Sequence, residues 1–153
     1  KHILSPGNIP VIRSDRGGQA TYHGPGQLVV YFLLNLRRLG WGPKRLIHQL
    51  EELIITLFQE YGINSSRVDG APGVYVGGEK IASIGLKIKR GFSYHGISIN
   101  LDMDLEPFLR INPCGSDSLK VTQLSNYKDI SFYEVQKRFE SILTTKMSFE
   151  VHK

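Results

Sequence analysis

The hydrophobic period of this chain changes from about 3.6 residues to two after Gly73, and that change restricts it to helices layered on a sheet. Between Pro43 and Tyr61, the residues Leu46, Ile47, Leu50, Leu53, Ile54, Leu57, Phe58 and Tyr61 recur on one helical face. Pro43 suits the first turn of that helix and Gly62 its C-terminal cap. From Gly73 onward the pattern is extended: Ala82, Ile84, Leu86 and Ile88 alternate with Ile81, Ser83, Gly85 and Lys87. Gly91 can turn the chain back, after which Ile97, Ile99 and Leu101 alternate with Gly96, Ser98 and Asn100. These two runs predict a hairpin. An earlier strand is expected in the apolar run Leu28–Leu34, and a second helix after Ser131. There Ser131 and Glu134 form a capping box ahead of the stripe Val135, Phe139, Ile142 and Leu143. Ser148 to His152 is expected to add a last strand. The order predicts one α/β domain over residues 1–153, a mixed β-sheet with flanking helices.

Upstream of the first strand, Arg16-Gly17-Gly18-Gln19-Ala20-Thr21-Tyr22-His23-Gly24-Pro25-Gly26-Gln27 packs four glycines, a proline and a histidine into a short segment. Glycine loses more backbone entropy on folding than any other residue, so such a cluster needs a reason. Two tight turns ahead of a core strand would account for Gly-Pro-Gly. The interleaved Arg16, Tyr22, His23 and Gln27 favour a site held at a sheet edge. In the predicted hairpin Ser83, Gly85, Gly96 and Ser98 are small residues on facing strands, a pattern that leaves a slot for a ligand.

The chain of 153 residues is long enough for a sizeable core, and its longest apolar stretch is strand-sized, so no membrane partner is expected. It opens at Lys1, and we expect a domain that lacks an N-terminal segment. A single cysteine excludes an internal disulfide and fits a reducing, cytoplasmic compartment. The net charge of +5 favours acidic partners. Lysine and arginine are scattered and no nucleic-acid-binding motif is present, so a nucleic-acid partner is not expected. Asp15, Asp69 and Asp117 form no metal set with the histidines, and no phosphate-binding or dinucleotide glycine pattern occurs. No metal or cofactor is expected.

Cys114 lies in the polar loop Asn112-Pro113-Cys114-Gly115-Ser116-Asp117. A lone cysteine is ordinarily a small buried hydrophobe. Its setting between proline and glycine weighs equally toward a nucleophile. Such a thiol has a pKa of about 8.5 and needs a neighbouring cation or base to react near neutrality. His23, Lys80 and His95 are the candidates. Lys80, at the start of the first hairpin strand, reads as a solvated turn lysine unless it stands beside the thiol, where it would favour the thiolate. His95 reads as a satisfied strand histidine.

Four segments, in this order, resemble one family, the octanoyltransferases of lipoate biosynthesis, also called lipoate-protein ligase B. They are Arg16 to Gln27; Ala71-Pro72-Gly73-Val74-Tyr75-Val76 with Lys80-Ile81-Ala82-Ser83-Ile84-Gly85; Tyr94-His95-Gly96-Ile97-Ser98-Ile99-Asn100; and Asn112-Pro113-Cys114-Gly115. The resemblance spans about Ile9 to Leu124, and the combination is far more specific than any one segment.

The resemblance implies a fold similar to the catalytic domains of biotin and lipoate ligases. It implies transfer of an octanoyl group from octanoyl-acyl carrier protein, through a cysteine thioester, to a lysine of a lipoyl-accepting domain. The acceptors would be lipoyl domains of 2-oxoacid dehydrogenases and the glycine cleavage H-type protein. Carried over residue by residue, Cys114 would be the nucleophile and Lys80 its activating partner. Arg16, Gly17, Gly18, Gln19, Ala20, Thr21, Tyr22 and His23 would line the substrate site with Ser83, Ile84, Gly85, Gly96, Ile97 and Ser98. Lys80 and His23 both remain candidates for the base that deprotonates the acceptor. The competing readings are an ATP-dependent ligase, which needs no cysteine, and a non-catalytic module that binds acylated carrier.

Overall fold

The computed structural model describes residues 2–112 and 120–147; Cys114 and the strand expected at Ser148–His152 lie outside them. The elements are β1 (Gln27–Tyr31), α1 (Leu36–Leu39), α2 (Pro43–Glu60), β2 (Gly73–Val76), β3 (Glu79–Lys89), β4 (Phe92–Asn100) and α3 (Phe132–Met147). Short 3-10 turns at Glu106–Arg110 and Leu124–Asn126 fall between β4 and α3.

Helix α2 starts at Pro43, where the missing N–H costs nothing, and ends against Gly62, whose φ of 72° lets Gly62 and Ile63 bond back to Gln59 and Phe58. Its stripe Leu46, Leu50, Leu53, Ile54, Leu57 and Phe58 is buried against the sheet. Each of these side chains contributes about 1.5–3 kcal/mol relative to exposure. Helix α3 adds Val135, Phe139 and Ile142 to the same core, and Arg138 pairs with Glu60 of α2.

The sheet has the order β1-β4-β3-β2. Its strands pair antiparallel throughout, and the parallel component is an isolated bridge between Lys80 and Val121. The β3–β4 hairpin turns at Arg90-Gly91, both at positive φ, the geometry that matches the twist of the strands it joins. In register, Leu28 faces Ile99, Val30 faces Ile97, and Ile97 faces Ile84. Those residues point to the helices and leave Val29, Tyr31, Ser83, Gly85, Gly96 and Ser98 on the opposite face. Among the described residues no helix is long and apolar enough to cross a membrane.

Candidate active site

The face turned away from the helices is nearly bare at its centre because Ser83 pairs with Ser98 and Gly85 with Gly96. The glycine-rich segment ahead of β1 crosses that bare strip. Gly17 N–H donates to Leu86 O at 2.8 Å, docking the segment on β3. Both partners of the crossing must be small. A Cβ on Gly17 would stand 2.7 Å from Leu86 O, and one on Gly85 would stand 3.0 Å from Arg16 Cδ. The Arg16 guanidinium donates to Gly17 O and Gln19 O at 3.0 and 2.5 Å, folding the segment around its own side chain. Burial lowers the pKa of Arg16 from its ordinary value, and guanidinium remains cationic at neutral pH.

Between loop and sheet lies a cleft of about 440 Å³. Apolar walls come from Ile9, Pro10, Ile12, Val29 and Tyr31, and polar groups from Arg16, Thr21, Tyr22, His23, Ser83, His95 and Ser98. An apolar slot with a few convergent polar groups suits a ligand with a hydrocarbon tail and a polar head.

Most of the site residues expected from sequence meet here. Arg16, Thr21, Tyr22, His23, Ser83, Ile84, Gly85, Gly96, Ile97 and Ser98 all line the cleft. Ala20 lines an adjoining pocket of about 130 Å³ with Ile3, Pro107 and Ile111. Gly17, Gly18 and Gln19 belong to the crossing segment without lining the cleft, although Gln19 O holds Arg16. Lys80 stands outside the lining.

Lys80 nevertheless belongs to the cleft face. Val74 pairs with Ala82 while the next residue, Tyr75, pairs with Lys80, so Ile81 is the extra residue of a β-bulge. Ile81 and Ala82 are both buried in the core as a result. The bulge moves Lys80 to the side of Ser83, where its chain runs over Gly73 and Nζ donates to Pro72 O at 3.2 Å. Nζ also lies 5.2 Å from the centre of the Tyr75 ring. Regular alternation puts Ile81 beside Ser83; the register shift corrects that reading.

Two further arrangements were invisible in the sequence. His95 adopts a φ of 61°, unusual for a residue with a side chain, and its Nε2 meets Asp15 Oδ1 at 2.9 Å in the cleft wall. The hydrogen bond with His95, together with the charges of His95 and Lys87, holds the Asp15 carboxyl below its usual value. Beneath the loop, His23 Nδ1 meets Gln27 Oε1 at 2.7 Å, Gln27 Nε2 donates to Asn100 Oδ1 at 2.9 Å, and Asn100 Nδ2 donates to Thr122 O at 3.0 Å. Gln27 and Asn100 are 73 residues apart and nothing in their spacing signals the contact. Among the described residues no cluster of three histidine, cysteine or acidic side chains is placed to hold a metal.

Residues 2–144 match the lipoyl protein ligase A/B catalytic domain. An octanoyltransferase of Pseudomonas savastanoi pv. phaseolicola is 52% identical over 150 residues, which cover 97% of this chain and 69% of that enzyme. The chain belongs to the lipoyl protein ligase A/B family, among its octanoyltransferases. The family fold extends to distant relatives. A bipartite lipoate protein ligase from Thermoplasma acidophilum superposes with a TM-score of 0.72 at 14% identity, covering 91% of this chain and 58% of that one. A biotin protein ligase from Aquifex aeolicus gives 0.63 at 20% identity, covering 80% and 53%. The α/β fold expected from the family resemblance is therefore present.

Proposed function

We propose that this chain carries out octanoyl transfer in two covalent steps. The Cys114 thiolate attacks the carbonyl carbon of octanoyl-acyl carrier protein. A new thioester forms, the donor's C–S bond breaks, and the carrier leaves as a thiolate that takes its proton from solvent. The amine of a lysine on a lipoyl-accepting domain then attacks the enzyme thioester, loses a proton to a base, and expels the cysteine sulfur. Exchange between thioesters is nearly neutral and the amide product lies downhill, so neither step needs ATP.

The observation that carries this reading is the position of Lys80 on the cleft face, in line with Ser83 and Gly85. A cation there can stabilise a thiolate and the oxyanion that forms above the small-residue strip. Arg16 to His23, Ser83 to Gly85 and Gly96 to Ser98 form the substrate site in this reading, and the apolar walls of the cleft take the octanoyl tail. Lipoyl domains of 2-oxoacid dehydrogenases and the H-type protein are the acceptors, and the setting is the cytoplasm. We place the catalytic domain at residues 1–153.

The test is to mix the protein with octanoyl-acyl carrier protein and a lipoyl domain without ATP and weigh the acceptor. One octanoyl group on the acceptor lysine is expected. Transfer that occurs from free octanoate, and then only with ATP, would replace this reading with that of a ligase.

A further inference from the structure

We infer that the buried Gln27–Asn100 pair fixes His23 in its Nδ1–H tautomer, making Nε2 the base that deprotonates the incoming lysine. The inference rests on the octanoyl-transfer reading and assigns a role within the same cleft.

The direction of each bond follows from two backbone carbonyls, which can only accept. Thr122 O takes its hydrogen bond from Asn100 at 3.0 Å, so the atom facing it is the Asn100 amide nitrogen and Oδ1 faces Gln27. Oδ1 accepts, so Gln27 presents its own NH₂ group at 2.9 Å. Tyr22 O, 3.4 Å from the same Gln27 nitrogen, demands the same orientation. Gln27 Oε1 therefore faces His23 and can only accept, and His23 Nδ1 must carry the proton across the 2.7 Å contact. In a neutral ring with Nδ1–H, the lone pair resides on Nε2. Gln27 and Asn100 are 8% and 5% exposed, so water is poorly placed to substitute for either amide. His23 itself lines the cleft, and among the described residues no hydrogen-bond partner occupies its Nε2.

The chemistry of the second step needs such a group. A lysine amine ordinarily has a pKa of about 10.4 and must lose protons to attack and to leave a neutral amide. As the N–C bond forms, one N–H proton passes to His23 Nε2. The C–S bond then breaks, sulfur keeps the electron pair, and the imidazolium returns the proton to it. During this passage the Nδ1–H bond to Gln27 persists and orients the ring. Lys80 is less suited to the task. Its Nζ donates to Pro72 O, lies 5.2 Å from the centre of the Tyr75 ring and stands outside the cleft lining, whereas His23 is part of it. The cation and the base are thus separate residues, with Gln27 and Asn100 positioning the base.

The tautomer is read directly by long-range ¹⁵N–¹H correlation on the full ¹⁵N-labelled chain, with His23 assigned by comparison with His23→Gln. The expected pattern is Nδ1–H in the unmodified protein and a growing Nε2–H population in Gln27→Leu. The kinetic arm follows discharge of the octanoyl-enzyme by a lipoyl domain. His23→Gln should slow discharge about 100-fold, the range expected for loss of a general base, and by a larger factor than it slows acylation. Gln27→Leu should slow it about 10-fold with the acceptor KM unchanged, a split that a merely structural role would not give. An Nε2–H ring in the unmodified protein would overturn the relay, even if Gln27→Leu fails to fold. Unchanged discharge in His23→Gln would overturn the base. If the unmodified chain forms no acyl-enzyme, the transfer reading fails and the base role with it, while the tautomer is still read.

Discussion

Lys80 and Ser83 share one face of β3 although a regular strand would set residues three apart on opposite faces. The bulge at Ile81 is the cause: Gly73 pairs with Ser83, Tyr75 pairs with Lys80, and Lys80 Cε lies 3.2 Å from the place where a Cβ on Gly73 would stand. An ammonium group is thereby aligned with the strip of small residues over which an acyl group would lie.

Lys80→Ala should therefore act on thiol ionisation before anything else. We expect the Cys114 thiol pKa to rise by about one unit, equivalent to about 1.4 kcal/mol, with a corresponding loss of thiolate near neutrality. The rate of iodoacetamide alkylation against pH reads this directly. An unchanged alkylation profile would detach Lys80 from the cysteine.

The two glycines of the bare strip should respond differently to alanine. On Gly96 a Cβ would fall 2.0 Å from Val30 O, a backbone atom of the neighbouring strand. Gly96→Ala should cost about 1–3 kcal/mol, the range for overpacking, visible in urea unfolding. On Gly85 the nearest atom is the flexible Arg16 Cδ at 3.0 Å, followed by Gly17 O at 3.3 Å. Gly85→Ala should lose less than about 1 kcal/mol of stability and instead raise the donor KM as the crossing segment lifts.

The pair Asp15–His95 should give the cleft a signature in acid. The hydrogen bond from His95, with help from the charges of His95 and Lys87, depresses the Asp15 carboxyl in the folded state. A depressed carboxylate contributes stability that is present above its unfolded pKa, about 3.9, and is lost as pH falls through the folded value. The Tm difference between the unmodified chain and Asp15→Asn should thus favour the unmodified chain at pH 6–7 and shrink below about pH 4. A difference that widened in acid would have the wrong sign.

Tail length should be read gradually. Each methylene buried in the cleft is worth about 0.8 kcal/mol, or about fourfold in kcat/KM. We expect donor preference centred on eight carbons with a graded decline on either side, measured with a series of acyl carrier proteins. Equal rates with four- and sixteen-carbon donors would exclude a tail-filled cleft.

The sequence already carried the local parts of this architecture. The apolar stripe of α2, with Pro43 and Gly62 at its ends, specifies that helix without outside help. Alternation through Ile84, Ile97 and Ile99 specifies the hairpin and leaves Gly85 opposite Gly96. The bulge was not legible, because Ile81 and Ala82 are both apolar and period-two reading has no means of inserting one unpaired residue. Nor were the positive φ of His95 and its contact with Asp15, a residue 80 positions away. The polar relay from His23 to Thr122 joins four residues from three stretches of chain, so its logic exists only after folding. Four short segments identified the family, yet the physical division between cation and base depended on contacts none of them encodes.

The most direct measurement of the central claim is the intact mass of the protein after mixing with octanoyl-acyl carrier protein in the absence of ATP, beside a Cys114→Ser control. The account predicts one octanoyl increment, absent from the control, released by hydroxylamine and discharged by a lipoyl domain. No increment on the unmodified protein, with the acceptor acylated all the same, would contradict a cysteine-bound intermediate.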